Sequence, residues 1–257
     1  MKVAAVQYEF IESEPFDARV DRMLGLVGAC SDADLVVLPE LWPNGGFTYD
    51  QWEATAQRLD GELVSRLRDA ARSASVVLHV GSFIERHDDG SLTNTALVLE
   101  RDGVECALYR KLHLFGFSDG EPKYLTAGRD LVVAQTSVGR LGLATCYDLR
   151  FPEMFRRLLD DGAEMFVVPA AWPLARIAHW SVLARARAIE NQTPLVALNT
   201  VGTHGGVDMG GASVIVDSLG VPLVEAGAAE EVVRAELDPA ATQAWRQRFP
   251  VLSDRRL

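Results

Sequence analysis

No stretch of this sequence is apolar for long enough to cross a bilayer; nothing approaches the ~20 residues that a membrane helix needs. The first residues, MKVAAVQYEF, have the pattern of a strand and lack the apolar core of a secretion signal. Cysteine is scarce. Cys30, Cys106 and Cys146 are the three, an odd number without close spacing, which gives neither a disulfide framework nor a zinc ribbon. The five histidines, at positions 79, 87, 113, 179 and 204, lack ligand spacing such as a pair four apart on a helix, so no metal is expected. Basic residues are in deficit: 25 Lys and Arg against 36 Asp and Glu leave a formal charge of −11. That argues against broad binding to nucleic acid or anionic membranes, and leaves room for a locally basic pocket. A reducing, cytoplasmic setting follows as the expectation, with no cofactor.

What is present is ample apolar material. Hydrophobic residues make up 48% of the 257, enough for one large core, and no Ser/Pro-rich linker or low-complexity segment divides the chain. One domain over residues 1–257 is expected, with a short tail from about 250. The spacing predicts strands at 2–8, 35–38, 76–85, 92–100, 104–110, 131–138, 140–146, 166–169, 195–200, 212–217 and 232–237. Helices are predicted at 16–30, 51–74, 152–162, 178–191 and 239–249. Such alternation is that of a layered α/β fold. Residues 36–43, VVLPELWP, are echoed at 166–173 by FVVPAAWP, with Ala170 where the first copy has Glu40. The echo suggests two related halves, each contributing a sheet to a sandwich with helices outside. Strand–Pro–turn is also a common pattern, so these eight positions alone do not decide it.

Three polar residues sit at the ends of apolar strands. Glu40 follows the run 35–38, where a buried carboxylate needs an answering group; a solvated strand-end Glu would fit the local sequence as well. Lys111 lies in YRKLHLFGF, between a strand and an apolar loop that could wall off a pocket. Cys146, in TCYDLRFPE, sits at a strand-to-helix turn, where helix-terminal N–H groups favour a thiolate and suit an oxyanion. Cys30 and Cys106 read as small buried hydrophobes.

Together, and in this order, LPEL, YRKLHLF and TCYDLRFPE closely resemble the three motifs of the nitrilase superfamily, the carbon–nitrogen hydrolases. The similarity continues through PAAWPLARIAHW, RARAIENQ and DSLGVPLVEAG, and so spans nearly the whole chain. The resemblance implies an α-β-β-α sandwich, a thioester acyl-enzyme mechanism and a Glu–Lys–Cys triad. By the match, Cys146 is the nucleophile, Glu40 the general base and later acid, and Lys111 the oxyanion stabiliser. Glu121, in GFSDGEPKYL, matches a second glutamate of the family, and the backbone N–H of Tyr147 completes the oxyanion hole. The sequence looks most like the ω-amidase branch, which acts on monoamides of short dicarboxylic acids. Arg150 and Arg176 are then candidates to grip a substrate carboxylate, and Phe47, Phe117 and Trp172 to shape the walls. A deaminated-glutathione amidase or an N-carbamoyl amino acid hydrolase are alternatives, as is a non-catalytic scaffold of the same fold. A small-molecule amide is the expected partner, and a homodimer the expected assembly.

Overall fold

The computed structural model describes residues 1–117 and 119–256. Its first half runs β1 (Lys2–Gln7), β2 (Glu9–Phe10), α1 (Phe16–Gly28), β3 (Leu35–Val37), α2 (Tyr49–Thr55), α3 (Glu62–Ala74), β4 (Val77–His79), β5 (Phe83–Arg86), β6 (Leu92–Leu99) and β7 (Glu105–Arg110). The second runs β8 (Val133–Thr136), β9 (Gly139–Leu143), α4 (Pro152–Asp160), β10 (Met165–Pro169), α5 (Ile177–Asn191), β11 (Leu195–Leu198), β12 (Val201–His204), β13 (Val207–Asp208), β14 (Val214–Val216), β15 (Pro222–Glu225), β16 (Glu231–Glu236) and α6 (Pro239–Arg248).

The halves share one plan. In the first, β1, β3 and β4 are parallel neighbours joined through α1 and α3, and β6 then pairs antiparallel with β4. In the second, β9, β10 and β11 are parallel neighbours joined through α4 and α5, and β14 pairs antiparallel with β11. An antiparallel strand flanks each trio, β16 on β1 and β8 on β9. VVLPELWP and FVVPAAWP thus leave the middle strand of each trio. The echo between them is topological and not a coincidence of turn chemistry.

The layers follow from the two-residue period of a strand. In the first sheet Val3, Ala5, Leu35, Val37, Val77 and Val98 face the second sheet. Their neighbours Ala4, Val6, Val36, Leu38, Leu78 and Leu97 meet Val20, Met23 and Val27 of α1 and Leu63, Leu67 and Ala71 of α3. The second sheet is covered likewise by Phe155 and Leu158 of α4 and by Trp180, Ala184 and Ala188 of α5. The result is the expected α-β-β-α sandwich. Strands buried on both faces are why LVV and FVV read as unbroken apolar runs.

The short strands β2, β12, β13 and β15 were not expected from the sequence, and two expected elements are interrupted. The helix expected over 51–74 is broken, because Ala56 turns extended and Gln57 bonds to the edge of β5, its N–H to the Ile84 carbonyl at 2.8 Å. The strand expected over 76–85 is split at Gly81, whose left-handed backbone (φ +68°) leaves no room for a side chain beside the carbonyls of Leu38 and Pro39.

Candidate active site

Glu40, Lys111 and Cys146 each lie just beyond a strand, after β3, β7 and β9 respectively, and the sandwich brings those ends together. The turn after β3 is fixed by Leu41 (φ +45°), whose N–H donates to Ser82 Oγ at 3.0 Å, and by the Trp42 indole, which donates to the Val80 carbonyl at 3.0 Å. Cys146 opens a 3₁₀ turn over Cys146–Arg150 and has φ +48°. Left-handed backbone at two non-glycine residues beside reactive groups is strain held in place by the surrounding packing.

The Lys111 ammonium, only 2% exposed, donates to Glu40 Oε1 at 2.8 Å and to the Glu121 carboxylate at 2.9 Å. Glu40 Oε2 accepts the Ala171 N–H at 2.8 Å. Glu121 Oε2 accepts the Phe115 N–H at 2.6 Å. Asn94 Nδ2 reaches both acids, Glu40 Oε1 at 2.9 Å and Glu121 Oε1 at 3.3 Å. The bond from Ala171 explains the opening difference between the echoed stretches. The second copy presents its backbone to the carboxylate of the first, so its own position 170 needs no acid.

Asp148 ties the thiol turn to the lysine segment. Fully buried, it accepts from Thr145 N–H at 2.8 Å, from the Tyr109 hydroxyl at 2.6 Å and from His113 N–H at 3.0 Å. Tyr109 and His113 lie on either side of Lys111, so one carboxylate sets two reactive segments relative to each other.

Burial would pull the Lys111 ammonium down, but Glu121 and Glu40 outweigh it and hold the group well above the usual lysine value. Burial raises Glu121, partly opposed by Lys111. Burial, then the charge of Glu40, push the Cys146 thiol well above its usual range. This reverses the expectation that helix-terminal N–H groups would favour a thiolate. A single 3₁₀ turn carries little dipole, and the adjacent carboxylate opposes a second negative charge. The resting group is therefore a thiol facing a carboxylate that can take its proton as it attacks.

The pocket above the thiol is lined by Phe47, Tyr49, Phe115, Tyr147, Trp172 and both arginines. Tyr147 is the second residue of its turn, where a backbone N–H has no partner within the turn. Arg150 lies over the Trp172 ring at 4.7 Å and bonds to His179 Nδ1 at 3.3 Å. Arg176 lies over Phe115 at 5.2 Å. Neither arginine meets a carboxylate among the described residues. Phe117 is a correction: it is 83% exposed and outside the lining, because the left-handed backbone at Gly116 (φ +103°) and at Phe117 itself (φ +53°) turns it outward and leaves Phe115 at the wall. Sequence reasoning also passed over Tyr49, Asn94 and the Ala171 N–H. For Asn94 a signal existed, since three polar residues interrupt a strand that is otherwise apolar, and buried polar groups require partners.

An open mouth with arginines thus lies above a sealed acid–lysine–thiol cluster. The profile of the carbon-nitrogen hydrolase family matches residues 2–247. A 2-oxoglutaramate amidase of Paenarthrobacter nicotinovorans is 43% identical over 263 residues, spanning 100% of this chain and 90% of that protein. A 2-oxoglutaramate amidase of Bacillus subtilis is 37% identical, over 86% of this chain and 85% of its own. Among solved structures, Nit3 of Saccharomyces cerevisiae, a member of branch 10 of the nitrilase superfamily, superposes with TM-score 0.91 at 29% identity, covering 100% of this chain and 97% of that one. The chain belongs to the carbon–nitrogen hydrolase family and is an enzyme acting on C–N bonds of amides other than peptide bonds.

Proposed function

We propose that the protein is an ω-amidase, releasing ammonia from the monoamide of a short dicarboxylic acid such as 2-oxoglutaramate. Cys146 Sγ attacks the amide carbon while Glu40 takes the thiol proton. Glu40 then returns that proton to the departing nitrogen, so that ammonia leaves and a thioester remains. Water, deprotonated by the same carboxylate, cleaves the thioester and restores the thiol. Lys111 and the Tyr147 N–H face the oxyanion of each tetrahedral intermediate, and Glu121 holds Lys111 charged and in place. A scaffold without chemistry would have no use for two acids, a lysine and a thiol sealed together, an arrangement that burial penalises.

The observation that carries the substrate class is the pair of guanidinium groups, Arg150 and Arg176, which meet no carboxylate among the described residues and stand at the mouth of a small pocket in a chain of charge −11. They suit the distal carboxylate of the amide. The names borne by the two bacterial relatives agree. We further propose that the chain acts as one catalytic unit, and as a homodimer. A reducing compartment suits its three free thiols.

Ammonia release from 2-oxoglutaramate tests this reading. Wild type should release it, and Cys146→Ala should lose at least ~10³-fold in kcat. Arg150→Met should raise KM by about 10- to 100-fold, the value of a charge-assisted contact. A folded wild-type protein that releases none would exclude this substrate. Intact mass after incubation with deaminated glutathione and N-carbamoyl amino acids would then show which amide acylates Cys146.

A further inference from the structure

We infer that Asn94 is the positioning residue of the acid–base machinery, joining Glu40, Lys111 and Glu121 into one unit. The inference rests on the reading of Glu40 as the proton carrier. Asn94 lies in the middle of β6, and its three polar contacts go to those three residues. Its backbone carbonyl accepts the Lys111 N–H at 2.9 Å. Its Nδ2 donates to Glu40 Oε1 at 2.9 Å and to Glu121 Oε1 at 3.3 Å, one to each of the acids that flank the ammonium.

The orientation of the amide is determined by its surroundings. Turning it over would set its oxygen against two carboxylates. As it stands, Oδ1 is buried and accepts no hydrogen bond among the described residues. A buried acceptor without a donor is a feature that packing alone would eliminate, since a leucine of similar volume fills the space without it. The fold retains the orphaned oxygen because the NH₂ on the other side is needed.

What that NH₂ does follows from the donors around Glu40. Oε1 is engaged by Lys111 and Asn94, and Oε2 by the Ala171 N–H. The carboxylate is thereby clamped at both oxygens and cannot swing with the lysine as charge moves during turnover. Lys111 is left to face the substrate oxygen without losing its place between the acids. Thr93 and Thr95, on the opposite face of β6, make the same kind of contact to Glu85, so the strand uses alternate residues to hold buried acids on both of its faces.

The test uses the full chain and two variants. Asn94→Leu removes the donor and the orphaned acceptor together. It should lower kcat by about a hundredfold while KM stays within about threefold and the melting temperature does not fall. Asn94→Asp keeps the shape and substitutes an acid, facing Glu40 from the turn after β3, Glu121 from its loop, Lys111 at the end of β7, Cys146 after β9 and Tyr49 from α2. Such a side chain donates only when protonated, so its activity relative to wild type should rise as pH falls. Alkylation of Cys146 by iodoacetamide, read by peptide mass beside Cys30 and Cys106, should slow in Asn94→Leu whatever the substrate. Wild-type kcat and alkylation rate in Asn94→Leu, with Cys146→Ala inactive, would overturn the role of Asn94 alone. Activity surviving in Cys146→Ala would instead overturn the catalytic reading beneath it.

Discussion

His79 and His204 are buried imidazoles, each accepting at Nδ1 from a glycine N–H: Gly81 at 3.1 Å and Gly46 at 2.8 Å. The proton must then sit on Nε2, which has no partner among the described residues in either case. Burial lowers His79 to about 4 and His204 to about 3. Unfolded histidine titrates near ~6.5, so between that value and the folded pKa the unfolded chain binds more protons than the native one. Stability is thus full above pH ~6.5 and is lost as pH falls toward 4, by up to about 1.4 kcal/mol per pH unit for each histidine. Thermal unfolding in steps from pH 7 to 4 reads this slope. His79→Gln combined with His204→Gln should flatten it, and an unchanged slope in the double variant would refute the assignment. Neither role was visible in sequence, where a histidine after β-branched residues says nothing about burial on both sides. Glu40, Lys111 and Cys146 were legible because each is a polar residue ending an apolar strand, and because the three occur in order. The Ala171 N–H was not, since any residue carries one.

Elements with their own punctuation were read correctly. α4 has Pro152 at its start and Gly162 just past its end, and β3 and β10 are short runs bounded by Pro39 and Pro169. Elements broken by tertiary contact were not: residues 51–74 keep helical periodicity across a gap set by pairing to β5, and Gly81 splits a run of strand-forming residues. At Gly81 a Cβ would lie 2.0 Å from the Pro39 carbonyl oxygen and 2.6 Å from that of Leu38, with φ at +68°. Gly81→Ala should therefore cost about 3 kcal/mol or more, a fall in Tm of roughly 6–12 °C in a chain of this size, and should lower activity by shifting the Glu40 turn. Gly90 has a similar φ of +83° but open space around it, so Gly90→Ala should cost only about 1–2 kcal/mol. Equal losses in the two variants, measured by thermal unfolding, would show that steric contact at Gly81 is not the cause.

At the scale of the molecule, the helix layer over the second sheet is not uniformly polar. Val182, 67% exposed, and Ile189 of α5 stand with Leu219, Val221 and Leu223 around the β14–β15 turn. The two groups are contiguous, since Gly220 packs on Ile189. We propose this apolar patch as the face through which the homodimer would close. Sedimentation equilibrium should give twice the 28.1 kDa chain mass, and Val182→Asp with Val221→Asp should give a folded protein of single mass. A wild-type monomer at micromolar concentration would refute the dimer.

The bond from the Ala171 N–H to Glu40 crosses between the two halves of the chain. During synthesis the first half emerges with its acids and its lysine but no nucleophile. The second brings the thiol together with the backbone donor that steadies the acid. On the proposed mechanism, chemistry waits until the two halves have closed on each other. Ammonia release, where the proposal predicts it, would then double as a report that both halves have met.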